Sequence, residues 1–144
     1  MRAADREEIF ATHFDYGEEE DSTYATMILE GSKRGIAFIA YNGSEPVAVL
    51  GIDLLWPRVA CVWMFATDGW LSVCFGLTKF ARRTIIPLLN DADIHRAQCW
   101  SQDSHRVSHR WLESLGATFE TMVPNYGKNG EAFCLFAWSK GRDF

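Results

Sequence analysis

The chain has 144 residues and a formal net charge of -5; that length matches one ordinary domain, able to bury roughly 70% of the surface its unfolded chain exposes. Hydrophobic residues make up 48% and aromatics 14%, with six Trp, which predicts a packed core and argues against disorder outside the ends. No dense Lys/Arg stripe marks a nucleic-acid binder, no apolar run is long enough for a membrane span, and "MRAADREEIF" lacks the apolar core of an export signal, so a soluble intracellular protein is expected.

Asp5 is an N-cap type of residue, and Ile9, Phe10 and Phe14 follow it at helical spacing, which predicts a first helix. The acidic run Glu18 to Asp21 precedes a second, capped by Asp21 or Ser22, with Tyr24, Met27 and Ile28 as its apolar stripe. After Gly35 the period changes. "IAFIAY", the turn "NGSEP" and "VAVLGIDLL" predict a hairpin, because Asn-Gly tolerates positive φ. "RVACVWMFAT" is apolar on both faces and is expected in the middle of the sheet.

A long helix is expected from Leu71 or Ser72, kinked or shortened late by Pro87, with Asp68 as its cap. "IHRAQCW" is a strand, and "SHRVSHRWLESLG" is a helix with Val107, Trp111 and Leu115 on one side and Gly116 as its stop. "ATFETMV" and "EAFCLFAW", joined by "PNYGKNG", form a final hairpin in which Tyr126 serves the turn. The two late helices join strands as crossovers, which requires some parallel pairing in an otherwise antiparallel sheet. Cys61, Cys74, Cys99 and Cys134 lack CxxC pairing and sit in apolar runs, so reduced, buried thiols are expected.

This order, the Arg2-Ala3-Ala4-Asp5 opening and "WLESLGATFE" at Trp111 to Glu120 resemble the GNAT superfamily of N-acetyltransferases over nearly the whole chain. Within it, "WLESLGATFE", "NYGKNGEAFCLF" at Asn125 to Phe136 and "WMFATDGWL" look like the internal virion protein A family of short-tailed bacteriophages. The resemblance implies a single domain over residues 1–144, of α/β (α+β) class, with a mixed, mostly antiparallel sheet flanked by about four helices. It also implies an acetyl-CoA site. The strand end Phe65, Ala66 and Thr67 would bind the pantetheine through its backbone, and the amides from Gly69 to Ser72 would take the phosphates.

The residues depart from that pattern. Gly69 and Gly76 are too far apart for the phosphate loop, Trp70 is bulky, and Asp68 puts a carboxylate where phosphate charge would sit. Leu112 occupies the position of the family's general-acid tyrosine and cannot donate a proton. His105 stands where an Asn is common and is the candidate proton acceptor, with water as the alternative. His105 and His109, four apart, would make at most half a metal site, and with no third ligand nearby no metal is expected and surface imidazoles are the plainer reading. Asp53 and Glu45 are further possible bases, more often solvated.

The resemblance therefore points first to a phage virion or assembly protein that keeps the scaffold without its chemistry and needs no cofactor. It would act in the virion and, during assembly, in the host cytoplasm, through contacts with capsid, portal or internal core proteins, with oligomers possible. Trp56, Trp70, Trp100, Trp111 and Trp138 would then divide between core and interface. The alternative is a working acetyl-CoA-dependent N-acetyltransferase, and a third reading is a small-ligand or nucleotide binder using the same cleft.

Overall fold

A computed structural model describes residues 1–13 and 35–141 of the chain. The second predicted helix, its acidic run and Phe14 lie outside the described residues. Strands β1 (Gly35–Asn42), β2 (Glu45–Trp56) and β3 (Val59–Ala66) form an antiparallel meander. The first turn is the expected one, with Gly43 at φ 61 between the paired Asn42 and Glu45.

The predicted long helix is four pieces: a 3-10 turn (Asp68–Ser72), α2 (Cys74–Phe80), a π segment (Ala81–Ile85) and α3 (Ile86–Asp91). Pro87 lacks an N–H, and in a regular helix its ring meets the carbonyl four residues back. The turns just ahead of it widen to π geometry, and the helix continues to Asp91 where a kink or a shortened last turn was expected. Its buried side is the ladder Leu77, Ala81, Ile85 and Leu89, packed on the sheet. Thr67, rather than Asp68, caps the start, its hydroxyl accepting from the Gly69 amide at 3.3 Å.

Strand β4 (Arg96–Gln102) follows, then α4 (Arg106–Ser114), β5 (Thr118–Val123) and β6 (Phe133–Ser139). Helix α4 ends as predicted: Gly116 has φ 91, its amide donates to Glu113, and the Ala117 amide donates to Leu112 at 3.0 Å. Its buried face differs from the prediction, since Val107 is exposed while His105, His109, Leu112 and Leu115 are buried. The sheet order is β1-β2-β3-β4-β6-β5, antiparallel except for β3 beside β4. This is the mixed, mostly antiparallel α/β sheet with flanking helices that the element order implied.

That one parallel contact is short. Strands β3 and β4 pair only at Val59 with Arg96, Ala60 with Ala97 and Cys61 with Gln98. Beyond Cys61 and Gln98 they diverge, and a wedge-shaped gap opens toward their C-terminal ends. Helix α1 (Ala3–Ala11) lies across the mouth of the gap. At one end the Arg2 amide donates to the Ala66 carbonyl at 2.7 Å, further along Glu8 meets Ser101 and His105, and the Ala11 carbonyl accepts from Lys128. Asp5 sits inside the first turn of this helix, not at its cap, which is Arg2.

Candidate functional site

The gap between β3 and β4 continues into a cavity of about 360 Å³. Its polar end is at the mouth, where α1 brings Arg2, Asp5 and Glu8 against Ser101 and His105. The carboxylate of Asp5 is only 3% exposed and accepts from Arg2 Nε at 2.9 Å, from the second guanidinium nitrogen at 2.6 Å, and from the Ala66 amide at 2.7 Å. His105 Nδ1 lies 2.7 Å from Glu8 Oε2, and its Nε2 lies 3.6 Å from Asp5 Oδ1. Ser101 donates to the same Glu8 oxygen at 3.3 Å.

His105 is therefore a buried imidazole between two carboxylates at the cleft wall, not the surface side chain its sequence context suggested. Its place follows from local structure, because residue 105 is the N-cap of α4 and β4 ends three residues earlier. His109 is buried one turn on, but it belongs to a different environment. Its Nε2 donates to the Gln102 carbonyl at 3.1 Å and its ring packs on Phe136 at 4.9 Å. Among the described residues no group of three His, Cys, Asp or Glu is placed to hold a metal ion.

Burial lowers the His109 pKa from the ordinary 6.5, opposed by the Gln102 hydrogen bond. The unfolded chain then binds a proton before the folded one does, so His109 stabilises the fold above its ordinary value and loses that contribution as pH falls. Thermal melts at pH 7.5 and pH 5 should show a smaller acid-induced drop in His109→Gln than in the parent chain. An identical drop in both would mean His109 does not set the acid sensitivity.

The backbone of the β3 end is divided in a way the sequence did not reveal. Thr67 donates to the Val47 carbonyl at 2.8 Å, so by the antiparallel alternation Phe65 and Thr67 turn their polar groups toward β2. Ala66 turns the other way, and both its amide and its carbonyl are held by Asp5 and Arg2. The three expected pantetheine contacts are thus already engaged. The same alternation makes the Val62 amide part of the last rung of the β3–β4 ladder, opposite Gln98, and aims the Val62 carbonyl and the amide and carbonyl of Met64 into the gap beyond it, with the Cys61 thiol donating weakly to the Val62 carbonyl at 3.9 Å. Val62 and Met64 are the open strand edge of the cleft.

From Gly69 to Ser72, where the resemblance implies the phosphates, the turn bonds to itself. Gly69 N donates to the Thr67 hydroxyl, Trp70 N to the Thr67 carbonyl at 3.0 Å, and the Ser72 hydroxyl to the Gly69 carbonyl at 2.7 Å. Trp70 is buried, with Arg2 over its ring at 5.2 Å and Trp111 edge-on at 5.4 Å. Leu71 and Phe75 are 75% and 81% exposed beside it. Phosphate oxygens need free amides or cations, and this turn offers Gly69 and Trp70 amides that are already bonded, the Asp68 carboxylate and apolar side chains. The residues present fit the amide arm of a thioester carrier and do not fit its nucleotide phosphates.

Leu112 is buried and lines the cavity, so that position supplies no general acid. Tyr126 does more than serve its turn. Its ring stacks on Trp100 at 4.7 Å, and both line the cleft. Asp53 does not line it: Oδ2 accepts from Trp63 Nε1 at 2.6 Å, and Oδ1 is buried with no hydrogen-bond partner. Glu45 is exposed beside the β1–β2 turn.

All four cysteines are free, with Cys99 and Cys134 buried and Cys61 and Cys74 only half-buried. Burial, with Asp53 nearby, pushes the Cys61 thiol up to about 11, and burial raises Cys99 further. Neither cleft thiol is a ready nucleophile.

No protein-family model matches the sequence, and no curated protein matches it. Solved structures do match in shape. A probable GNAT-family acetyltransferase from Chromobacterium violaceum has TM-score 0.73 and 10% identity over 96% of this chain and 76% of its own. The ribosomal-protein-S18-alanine N-acetyltransferase of Escherichia coli has TM-score 0.63 and 18% identity over 92% and 82%. A Bacillus subtilis acetyltransferase solved with CoA has TM-score 0.66 and 10% identity over 88% and 95%. The fold is that of the GNAT acetyltransferases, and these likenesses give no support to the virion-protein branch of the resemblance.

Proposed function

We propose that the chain is an acyltransferase that moves an acyl group from a pantetheine-type thioester to an amine, with His105 as the proton acceptor. The observation that carries this reading is the buried His105–Glu8 pair at the mouth of a cleft that also holds an open strand edge. When bound, the thioester supplies an acyl carbonyl activated by its sulfur. Val62 and Met64 hold the amide arm as an added strand would be held, and the apolar walls keep water from the carbonyl. The amine nitrogen bonds to the acyl carbon as the carbon–sulfur bond breaks; His105 takes the proton the amine gives up and passes it to the departing sulfur, which leaves as thiol, and Glu8, fixed by Ser101, orients the imidazole.

The test is a thermal-shift titration with acetyl-CoA, CoA and pantetheine, followed by thiol release in the presence of amines. A ligand at about 100 times its Kd adds roughly 2.7 kcal/mol of stability, or roughly 8 °C for a chain of this size. Pantetheine and CoA should shift the melt by similar amounts at equal concentration, because the 3-10 turn does not recognise phosphate. Two results would sink the reading: no shift with any of the three at millimolar concentration, or a shift without thiol release.

A second reading keeps the scaffold and drops the chemistry: a phage virion or assembly protein acting through contacts with capsid, portal or core proteins. Leu112 in the tyrosine position and the exposed Leu71 and Phe75, four residues apart, support it. The same titration decides between the two, since this reading expects no thioester binding.

A further inference from the structure

The cavity is graded along its length. Helix α4 contributes His105, Ser108, Leu112 and Leu115, spaced three, four and three residues apart and so on one face. From His105 to Leu115 the axial rise is about 15 Å. Asp5, Glu8, Ser101 and His105 mark the first end, where residues 2–13 also bring Arg2, Thr12 and His13 to the lining. Past Ser108 the lining from four elements is apolar, with Ile85 from the π segment, Leu89 from α3, Leu112 and Leu115 from α4, and Trp138 from β6. Each of these five side chains is at most 9% exposed.

An acetyl group would need only the first few ångströms beyond His105. The rest of the cavity offers hydrocarbon walls; the one polar group among those five side chains is the Trp138 indole N–H, which donates to the Leu115 carbonyl at 3.1 Å, and Leu112 keeps the passage apolar between Ser108 and Leu115. We propose that this inner cavity is an acyl-chain site, and that the donor carries a medium or long straight alkyl chain rather than acetyl. The chain runs from the carbonyl beside His105 along α4 toward Leu115 and Trp138. The inference rests on the cleft being the acyl site of the proposed transferase, and it names the substrate class of that site. Free fatty acids share the same chemistry, a polar carbonyl head and an alkyl tail, and are the second source to be separated.

The experiment measures binding of N-acetylcysteamine thioesters and of free saturated fatty acids with 2 to 10 carbons, by calorimetry, on the full chain. Each methylene buried in the cavity should tighten binding about fourfold, until the far wall is reached. An Ile85→Trp variant, checked for folding by its thermal melt, should stop the gain at a shorter chain. Affinity for both probe series that stays within about threefold from 2 to 10 carbons in the parent chain would overturn the inference. A chain-length slope with thioesters that release no thiol to any amine would leave the acyl-chain site standing and remove the transferase reading. Amine-dependent thiol release from the acetyl thioester with a flat chain-length profile would do the reverse. A slope seen with the acids alone would assign the site to free fatty acids and overturn the thioester assignment.

Discussion

A His105→Gln variant is expected to lose roughly 10²- to 10⁴-fold in acyl transfer while keeping its fold. Glutamine can still donate to Glu8, so the hydrogen bond now made by Nδ1 at 2.7 Å has a replacement, but an amide has no basic nitrogen to take the proton of an attacking amine. The helix start is insensitive to the change, because residue 105 makes no side-chain cap bond to α4. The loss should appear in the turnover number more than in KM, since binding of the thioester arm is assigned to Val62 and Met64. A Glu8→Gln variant should show a smaller loss, because it disturbs the orientation of the imidazole and leaves the imidazole itself. Unchanged turnover in His105→Gln, with thiol release still dependent on the amine, would transfer the proton to water and remove His105 from the mechanism.

The strands were readable because their signals are local. The Asn-Gly turn, the doubly apolar β3 and the Gly116 stop each announce themselves within a few residues, and each appears at its predicted place. The sheet could be assembled from that order, down to the need for a parallel pair. The site was only half legible. His105 stood out by its position before α4, but Glu8 lies 97 residues away in sequence and Asp5 bonds to Ala66 across 61. Nothing in "AADREEIF" distinguishes these two acids from a helix cap and a solvated charge. Which of Val62 to Thr67 face the gap is a question of register, and a one-residue change in register would have reversed every assignment. The π segment escaped for a related reason: a proline signals a conflict in a helix, and whether the chain breaks or widens depends on the packing of the Leu77, Ala81, Ile85 and Leu89 ladder against the sheet.

An Asp5→Ala variant is expected to destabilise the protein by roughly 3 kcal/mol, a large part of the 5–15 kcal/mol typical of a domain. Three donors converge on this carboxylate, two from Arg2 and one from the Ala66 amide, and its side chain is 2% exposed. Alanine leaves the amide without its acceptor and the guanidinium, itself only 13% exposed, without its counter-charge. The melting temperature should fall by roughly 9 °C, at roughly 3 °C per kcal/mol for this chain length. The guanidinium accounts for part of the cost, so an Asp5→Ala, Arg2→Met double variant should recover part of the loss, and a double-mutant cycle on the melts measures how much. Asp5→Asn should fall in between, since its carbonyl can serve Ala66 while its amide faces Arg2. Because Asp5 and Arg2 anchor α1 to the end of β3, the same loss of anchoring should weaken the Glu8–His105 pair, so Asp5→Ala should lower turnover as well as stability. A variant that melts with the parent chain would show that α1 is held across the cleft mouth by other contacts.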